Sequence, residues 1–291
     1  MALTTVPVEL ANLDGAVTIN SSGADANFIV ASDDNTHMLF VDAGNNRIGI
    51  NDSAPQQLVD IFDSTLPVIR LTNGRNEGVA SDYDLGKIEF FSNDSSGTGA
   101  RVLTEFNAIA DANSTAPGGI FVIKTAPTNS ATTERFRIDS SGYVSMPAQP
   151  AFQVRKSSSQ DNLPTSTQTI TFETEVFDVG SNFNNASTTP AYAFTAPVTG
   201  KYQFNVHIRL EVLDSAASFY QMKVLTTNRT YIFTLDPNGF QSTDLDYYSF
   251  AWSALADMDA SDTAYLTIIQ SGGTSQTDIH TESYFSGYLV A

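Results

Sequence analysis

Short apolar runs alternating with polar residues recur along the whole chain, and helical spacing is nearly absent. In the first half these runs read "NFIVAS", "MLFVDA", "LPVIRLTN", "GKIEFFSN", "RVLTEFNAIAD", "GGIFVIKTA" and "RFRIDSS". Each is rich in β-branched and aromatic residues and bounded by Gly, Asn, Asp or Ser, which predicts strands. Within "GGIFVIKT", Phe121 and Ile123 face one way while Ile120, Val122 and Lys124 face the other. Apolar residues on both faces predict a sheet covered on both sides over part of its width.

One pattern occurs twice. "MLFVDAGNNRIGI", from Met38 to Ile50, and "ERFRIDSSGYVSM", from Glu134 to Met146, each carry a strand ending in Asp (Asp42, Asp139), a small polar turn with Gly (Gly44, Gly142), and a second alternating strand. Both predict a β-hairpin. In "MPAQPAFQV", Pro147 and Pro150 lack the amide proton that a strand ladder needs. They place a boundary between a segment 1–149, built of β-layers with the two related hairpins, and a segment 150–291. Beyond it the strands lengthen and become more aromatic, as in "QTITFETEVFD", "GKYQFNVHIRLEV", "LDYYSFAWSAL" and "DTAYLTIIQ". Such a series of strands predicts a sandwich or jelly roll, and the fold class is all-β. In "DYYSFAWSAL", Tyr248, Phe250 and Trp252 point one way, and Tyr247, Ala251 and Leu255 the other. One face serves a core and the other a contact between copies, unless both are covered within one protomer.

Composition narrows the function classes. A chain of 291 residues with 41% hydrophobic and 11% aromatic residues has room for about two folded domains. The formal charge of −18 repels phosphate backbones and anionic lipid, so neither nucleic acid nor membrane insertion is expected. With no cysteine, neither disulfides nor thiolate metal sites contribute. The start "MALTTVPVELANLDGAV" lacks the basic head and apolar run of a secretory signal, so synthesis in the cytoplasm is expected.

The segments "NTHMLFVDAGNNRIGIN", "GKIEFFSNDSSGTGARVLTEFNAIAD", "GGIFVIKTAP" and "ERFRIDSSGYV", in this order over about residues 13 to 146, resemble a recurring module of bacteriophage virion fibres. The resemblance implies linker and trimer-forming elements, other virion proteins as partners of this half, and a place on the virion. The second half resembles the globular head of the complement first-component q family, which shares the jelly roll of tumour necrosis factor. The matching residues are "AFQV" (151–154), "FTAPVTGKYQFNV" (194–206), "MDASDTAYLTI" (258–268) and "YFSGYLV" (284–290). Ser261 stands where that family usually has Gly, and the family's collagen stalk is missing. Both resemblances imply a homotrimer. Phe194, Tyr202, Phe204, Tyr247, Tyr248, Phe250 and Trp252 are the candidates for core or trimer contact.

Catalytic chemistry is not legible. His37, His207 and His280 share no metal-ligand spacing, and there is neither a nucleophile elbow nor a phosphate-cradling loop. No enzyme and no cofactor is expected. Asp257, Asp259 and Asp262 stand as alternatives between a calcium site and a solvated turn whose Asp residues cap the backbone. Asp244 and Asp246 read as solvated loop charges. Receptor-binding candidates lie in two polar loops: Asp236, Asn238, Phe240 and Gln241 in "TLDPNGFQSTD", and Thr274 and Gln276 in "SGGTSQTD". An aromatic stacking plane beside small polar side chains suits a host-surface glycan or protein. Three functions remain: a virion fibre whose trimeric head recognises a host-surface receptor, a purely structural capsid decoration, head or neck fibre, and a glycan depolymerase, which would need two facing carboxylates.

Overall fold

The computed structural model describes residues 23–75, 80–97, 99–111, 116–239 and 243–291. They are all-β apart from one 3-10 turn at Pro237–Gly239. The chain divides into two compact units, Met1–Thr72 and Asn73–Ala291, so residues 73–149 belong to the same unit as the segment that follows them.

The first unit holds a four-stranded sheet of β1 (Phe28–Val30), β2 (Leu39–Asp42), β3 (Arg47–Ile50) and β4 (Val59–Ile61), in that order. Strands β2 and β3 form the first hairpin, with Leu39 opposite Ile50 and Asp42 opposite Arg47. The Asp42 carboxylate accepts the Asn45 amide at 3.1 Å and its side chain at 2.9 Å. Asn46, not Gly44, takes the left-handed position, at φ 56°. The Phe40 side chain is buried, with the His37 ring edge-on at 5.3 Å.

The second unit opens with an antiparallel meander of β5 (Asp84–Ser92), β6 (Arg101–Ala110), β7 (Gly119–Thr125), β8 (Thr133–Ile138) and β9 (Val144–Ser145). The last two strands are the second hairpin, where Asp139 Oδ1 accepts the amides of Ser141 and Tyr143, both at 2.9 Å, and Gly142 is left-handed. The expectation of cover on both faces is not met. Ile120 and Val122 are buried, whereas Phe121, on the opposite face, is exposed.

The rest of this unit is a two-sheet sandwich, the jelly-roll head. Its strands are β10 (Ala151–Arg155), β11 (Gln168–Thr169), β12 (Thr174–Val179), β13 (Phe183–Asn184), β14 (Ala193–Thr195), β15 (Gly200–Leu213), β16 (Phe219–Thr226), β17 (Thr230–Leu235), β18 (Leu245–Met258), β19 (Thr263–Ser271), β20 (Asp278–Ile279) and β21 (Tyr284–Leu289). One sheet runs β12-β10-β21-β15-β18, with β20 also on β15; the other runs β13-β14-β19-β16-β17, with β11 also on β19. The inward residues of β15, from Tyr202 through Phe204, Val206 and Ile208 to Leu210, are all buried, as period-two alternation requires. Phe152 is the hub of the core, with Phe194 stacked at 4.9 Å and Phe183 and Phe285 at 5.1 Å. Gly287 lets β21 pass beside these rings: a Cβ there would lie 2.6 Å from Phe204 and 2.8 Å from Phe152.

Candidate functional site at the loop end of the head

The register places three loops at one end of the sandwich. Leu213 pairs with Leu245, Tyr220 with Leu235, and Phe219 with Ser271, so the connections 214–218, 236–244 and 272–277 are neighbours. The chain enters at the other end, where Ala151 pairs with Tyr288 and Lys201 donates its amide to Ala291. The loop cluster is therefore distal to the junction with the meander.

Both sequence-predicted loops lie in this cluster. Asp236 Oδ1 accepts the Asn238 amide at 2.9 Å and its side-chain amide at 3.1 Å, which opens the 3-10 turn and leaves Asn238 exposed. Phe240 and Gln241 lie outside the described residues. In the second loop, Gly272 and Gly273 have φ of 74° and 73°, and a Cβ on Gly273 would lie 2.1 Å from the Asp214 carboxylate. Only glycine fits there. The buried Asp214 accepts the amides of Thr274 and Ala216 and thereby holds the loop to the sandwich. Thr274 is exposed, and its carbonyl accepts Gln270 Nε2 at 2.7 Å.

Asp244 is an exposed loop charge, and it also holds its neighbours. One carboxylate oxygen accepts the Ser215 amide at 2.9 Å and the Ser215 hydroxyl at 2.8 Å, and the other accepts Gln276 Nε2 at 2.7 Å. A single carboxylate thus braces all three loops. The Ser215 amide, with the Gln276 and Ser215 side chains, holds its carboxyl below the usual aspartate range. Beneath it, the Tyr220 hydroxyl meets Thr277 Oγ1 at 2.7 Å and accepts the Asp214 amide at 3.0 Å; burial pushes this phenol up. The sequence carried no signal for Asp214, Ser215 or Tyr220 in these roles, because their partners lie far along the chain.

The remaining candidates separate by depth. Phe194, Tyr202, Phe204 and Phe250 are buried in the core, and Tyr248 and Trp252 pack partly buried against it. Phe250 and Trp252 stack with Phe233 at the side of the sandwich formed by β17 and β18, with centroids 5.5 and 5.7 Å away. Tyr247 stands on the outer face, 66% exposed, with the Arg209 guanidinium 4.8 Å from its ring centre.

Asp257, Asp259 and Asp262 do not come together as a calcium site. Asp257 pairs with Lys201, which holds its carboxyl below the usual range. Asp262 Oδ2 caps the turn, accepting the Asp259 amide at 2.8 Å and Asn228 Nδ2 at 2.7 Å. Among the described residues, no three His, Asp or Glu side chains gather as a metal site requires. His207 lies parallel to Tyr284 at 5.0 Å, and His280 Nδ1 accepts the Glu282 amide.

The sandwich, its strand order and its aromatic core coincide with one stretch of known sequence. Residues 151–290 match the family model of the C1q domain. This stretch is a C1q-like domain. Among solved structures, the globular domain of zebrafish complement 1qA protein is similar at 18% identity, covering 49% of this chain and 98% of that chain, with a TM-score of 0.35. Murine APRIL, solved at pH 8.5, is similar at 7% identity over 49% of this chain and 99% of that chain, also with a TM-score of 0.35. No curated protein matches the chain. The C1q-like domain begins at β10, immediately after the proline pair.

Proposed function

We propose that this protein is a bacteriophage virion fibre, a homotrimer whose C1q-like head recognises a host-surface glycan or protein through the three-loop cluster. The observation that carries this reading is the cluster itself. Two loops chosen for their polar, adaptable side chains lie together at the end of the head farthest from the chain entry, locked by Asp214 and Asp244. Rigid anchoring with exposed tips is what recognition demands, because less ordering is left for the binding step. The sequence resemblance of residues 13–146 to fibre modules supplies the virion context, with that half joined to other virion proteins. Trimerisation is supported by the outer face of β15, β18 and β21, where Tyr247, Leu255, Tyr284 and Tyr288 stand exposed.

Three heads on one axis convert weak single contacts into firm adhesion, with gains on the order of a hundredfold or more when receptor spacing matches. The role proposed is binding: the Asp214 and Asp244 carboxylates are engaged in holding loops. The test is adsorption of fluorescently labelled protein to a panel of bacterial strains. Asn238→Ala and Thr274→Ala, both at exposed positions, are expected to weaken adsorption while leaving assembly unchanged. Adsorption equal to the parent's in both variants excludes the cluster as the receptor site. A parent that adsorbs to no strain favours the capsid or neck role.

A further inference from the structure

The sequence holds two Asn–Gly pairs, Asn73–Gly74 and Asn238–Gly239. Such a pair can react with itself, because the backbone nitrogen after the asparagine can attack its side-chain carbonyl and glycine puts no Cβ in the way. Their surroundings differ. Residues 66–75 form neither strand nor helix, so no ladder holds the backbone at Asn73–Gly74. The exposed Asn73 side chain is nonetheless held. Its Oδ1 accepts the Arg75 backbone N–H at 3.0 Å, an Asx turn that folds the side-chain carbonyl towards the Gly74 nitrogen. Its Nδ2 donates to the Asp84 carbonyl at 3.3 Å, and the Tyr83 hydroxyl takes a second hydrogen bond from the same side chain. The Arg75 guanidinium lies 5.1 Å from the centre of the Tyr83 ring, so the charge beside Asn73 is positive. A Cβ on Gly74 would meet nothing within 4 Å, which leaves the attacking nitrogen open on that side. Asn238–Gly239 lies instead within the 3-10 turn Pro237–Gly239. Asn238 gives its backbone N–H and its side-chain amide to Asp236 Oδ1, at 2.9 and 3.1 Å, so the charge beside it is negative.

We propose that Asn73–Gly74 is a self-modifying site, where the folded chain converts its own asparagine to aspartate and isoaspartate. The Gly74 nitrogen gives up its proton to hydroxide or a buffer base and attacks Asn73 Cγ. The Arg75 backbone N–H stands at the oxygen on which negative charge then develops, and so acts as an oxyanion donor. A bond from Cγ to the Gly74 nitrogen forms, the Cγ–Nδ2 bond breaks, and the departing nitrogen takes up a proton and leaves as ammonia. Water then opens the five-membered succinimide, so that in sum one amide and one water become one carboxylic acid and one ammonia. Addition at the side-chain carbonyl gives aspartate. Addition at the main-chain carbonyl gives isoaspartate, which lengthens the main chain by a methylene at the first residue of the second unit. At Asn238 the same attack builds negative charge beside the Asp236 carboxylate, which opposes it. The inference concerns this peptide only and stands apart from the receptor reading.

The test is ageing of the full-length protein in mildly alkaline buffer, both folded and in guanidinium chloride. Proteolysis and mass spectrometry read the amide-to-acid change at each pair, and chromatography separates the isoaspartyl form. In guanidinium chloride the two pairs are expected to react at similar rates. In the folded protein Asn73 is expected to convert about tenfold faster than Asn238, and at least as fast as in the unfolded chain. Gly74→Ala enters open space outside the left-handed region, so the melting temperature and the rate at Asn238 should not change. Conversion at Asn73 in this variant should slow by about tenfold, because the new methyl group crowds the attacking nitrogen. If Asn238 keeps pace with Asn73 in the folded protein, or folding slows Asn73 below its unfolded rate, the surroundings do not promote the reaction and the proposal falls. An undiminished rate in Gly74→Ala, with aspartate and no isoaspartate formed, would mean direct hydrolysis of the side chain and equally overturns it.

Discussion

Phe194 lies 1% exposed, between Phe152 at 4.9 Å and Tyr202 at 5.4 Å, on a strand of three residues that pairs with both β13 and β19. Truncation would remove a ring from the centre of the sandwich, where neighbours cannot collapse into the space. Phe194→Ala is expected to destabilise the head by roughly 3–5 kcal/mol, read as a lowered melting transition. An unchanged melt would contradict its place in the core. Ser261 offers the opposite test. Its φ of 77° is in the region that glycine occupies at little cost, and the hydrogen bond its backbone N–H donates to the Ala196 carbonyl does not depend on the side chain. Ser261→Gly relieves about 1–2 kcal/mol of backbone strain. Against this stands about 0.4–1 kcal/mol of added freedom in the unfolded chain. The expected result is a small rise in melting temperature, and a clear drop would show that the turn is not strained. The Gly-to-Ser departure at this turn was legible in the sequence; the left-handed backbone that makes it matter was not.

At the scale of elements, both hairpins formed where the repeated Asp-to-Gly pattern put them, because strand alternation and an Asp that caps its own turn are local interactions. The loop cluster is a different case. Asp244, Ser215 and Gln276 are brought together by register, and nothing in the adjacent residues announces it. Because the Asp244 carboxyl is held below the ordinary range, its contribution to the brace is fully present above the unfolded aspartate value. It is lost only as pH falls through the lower, folded one. The amide resonance of Ser215 should therefore titrate with a midpoint below that of an exposed aspartate. The same resonance should show no such titration in Asp244→Asn. A midpoint at the ordinary aspartate value would mean that the brace does not form in solution.

For the whole molecule, the head carries its own aromatic core, and Pro147 and Pro150 limit the ladder bonds that cross into it. Residues 150–291 expressed alone are expected to give a cooperatively melting β-domain by circular dichroism, whereas residues 73–149 alone should not, since their sheet has one bare apolar face. A disordered 150–291 fragment would show that the head depends on the meander. Period-two alternation and β-branched and aromatic enrichment were enough to determine an all-β fold class and the inward residues of the head's long strands, because these are set by neighbours one to four positions away. Tertiary structure alone decided which face of the meander is buried, which carboxylate locks the loops, that Asp257 pairs with Lys201 and that Asp262 caps the turn. Each of these depends on groups that only register and sheet packing bring within a few ångströms.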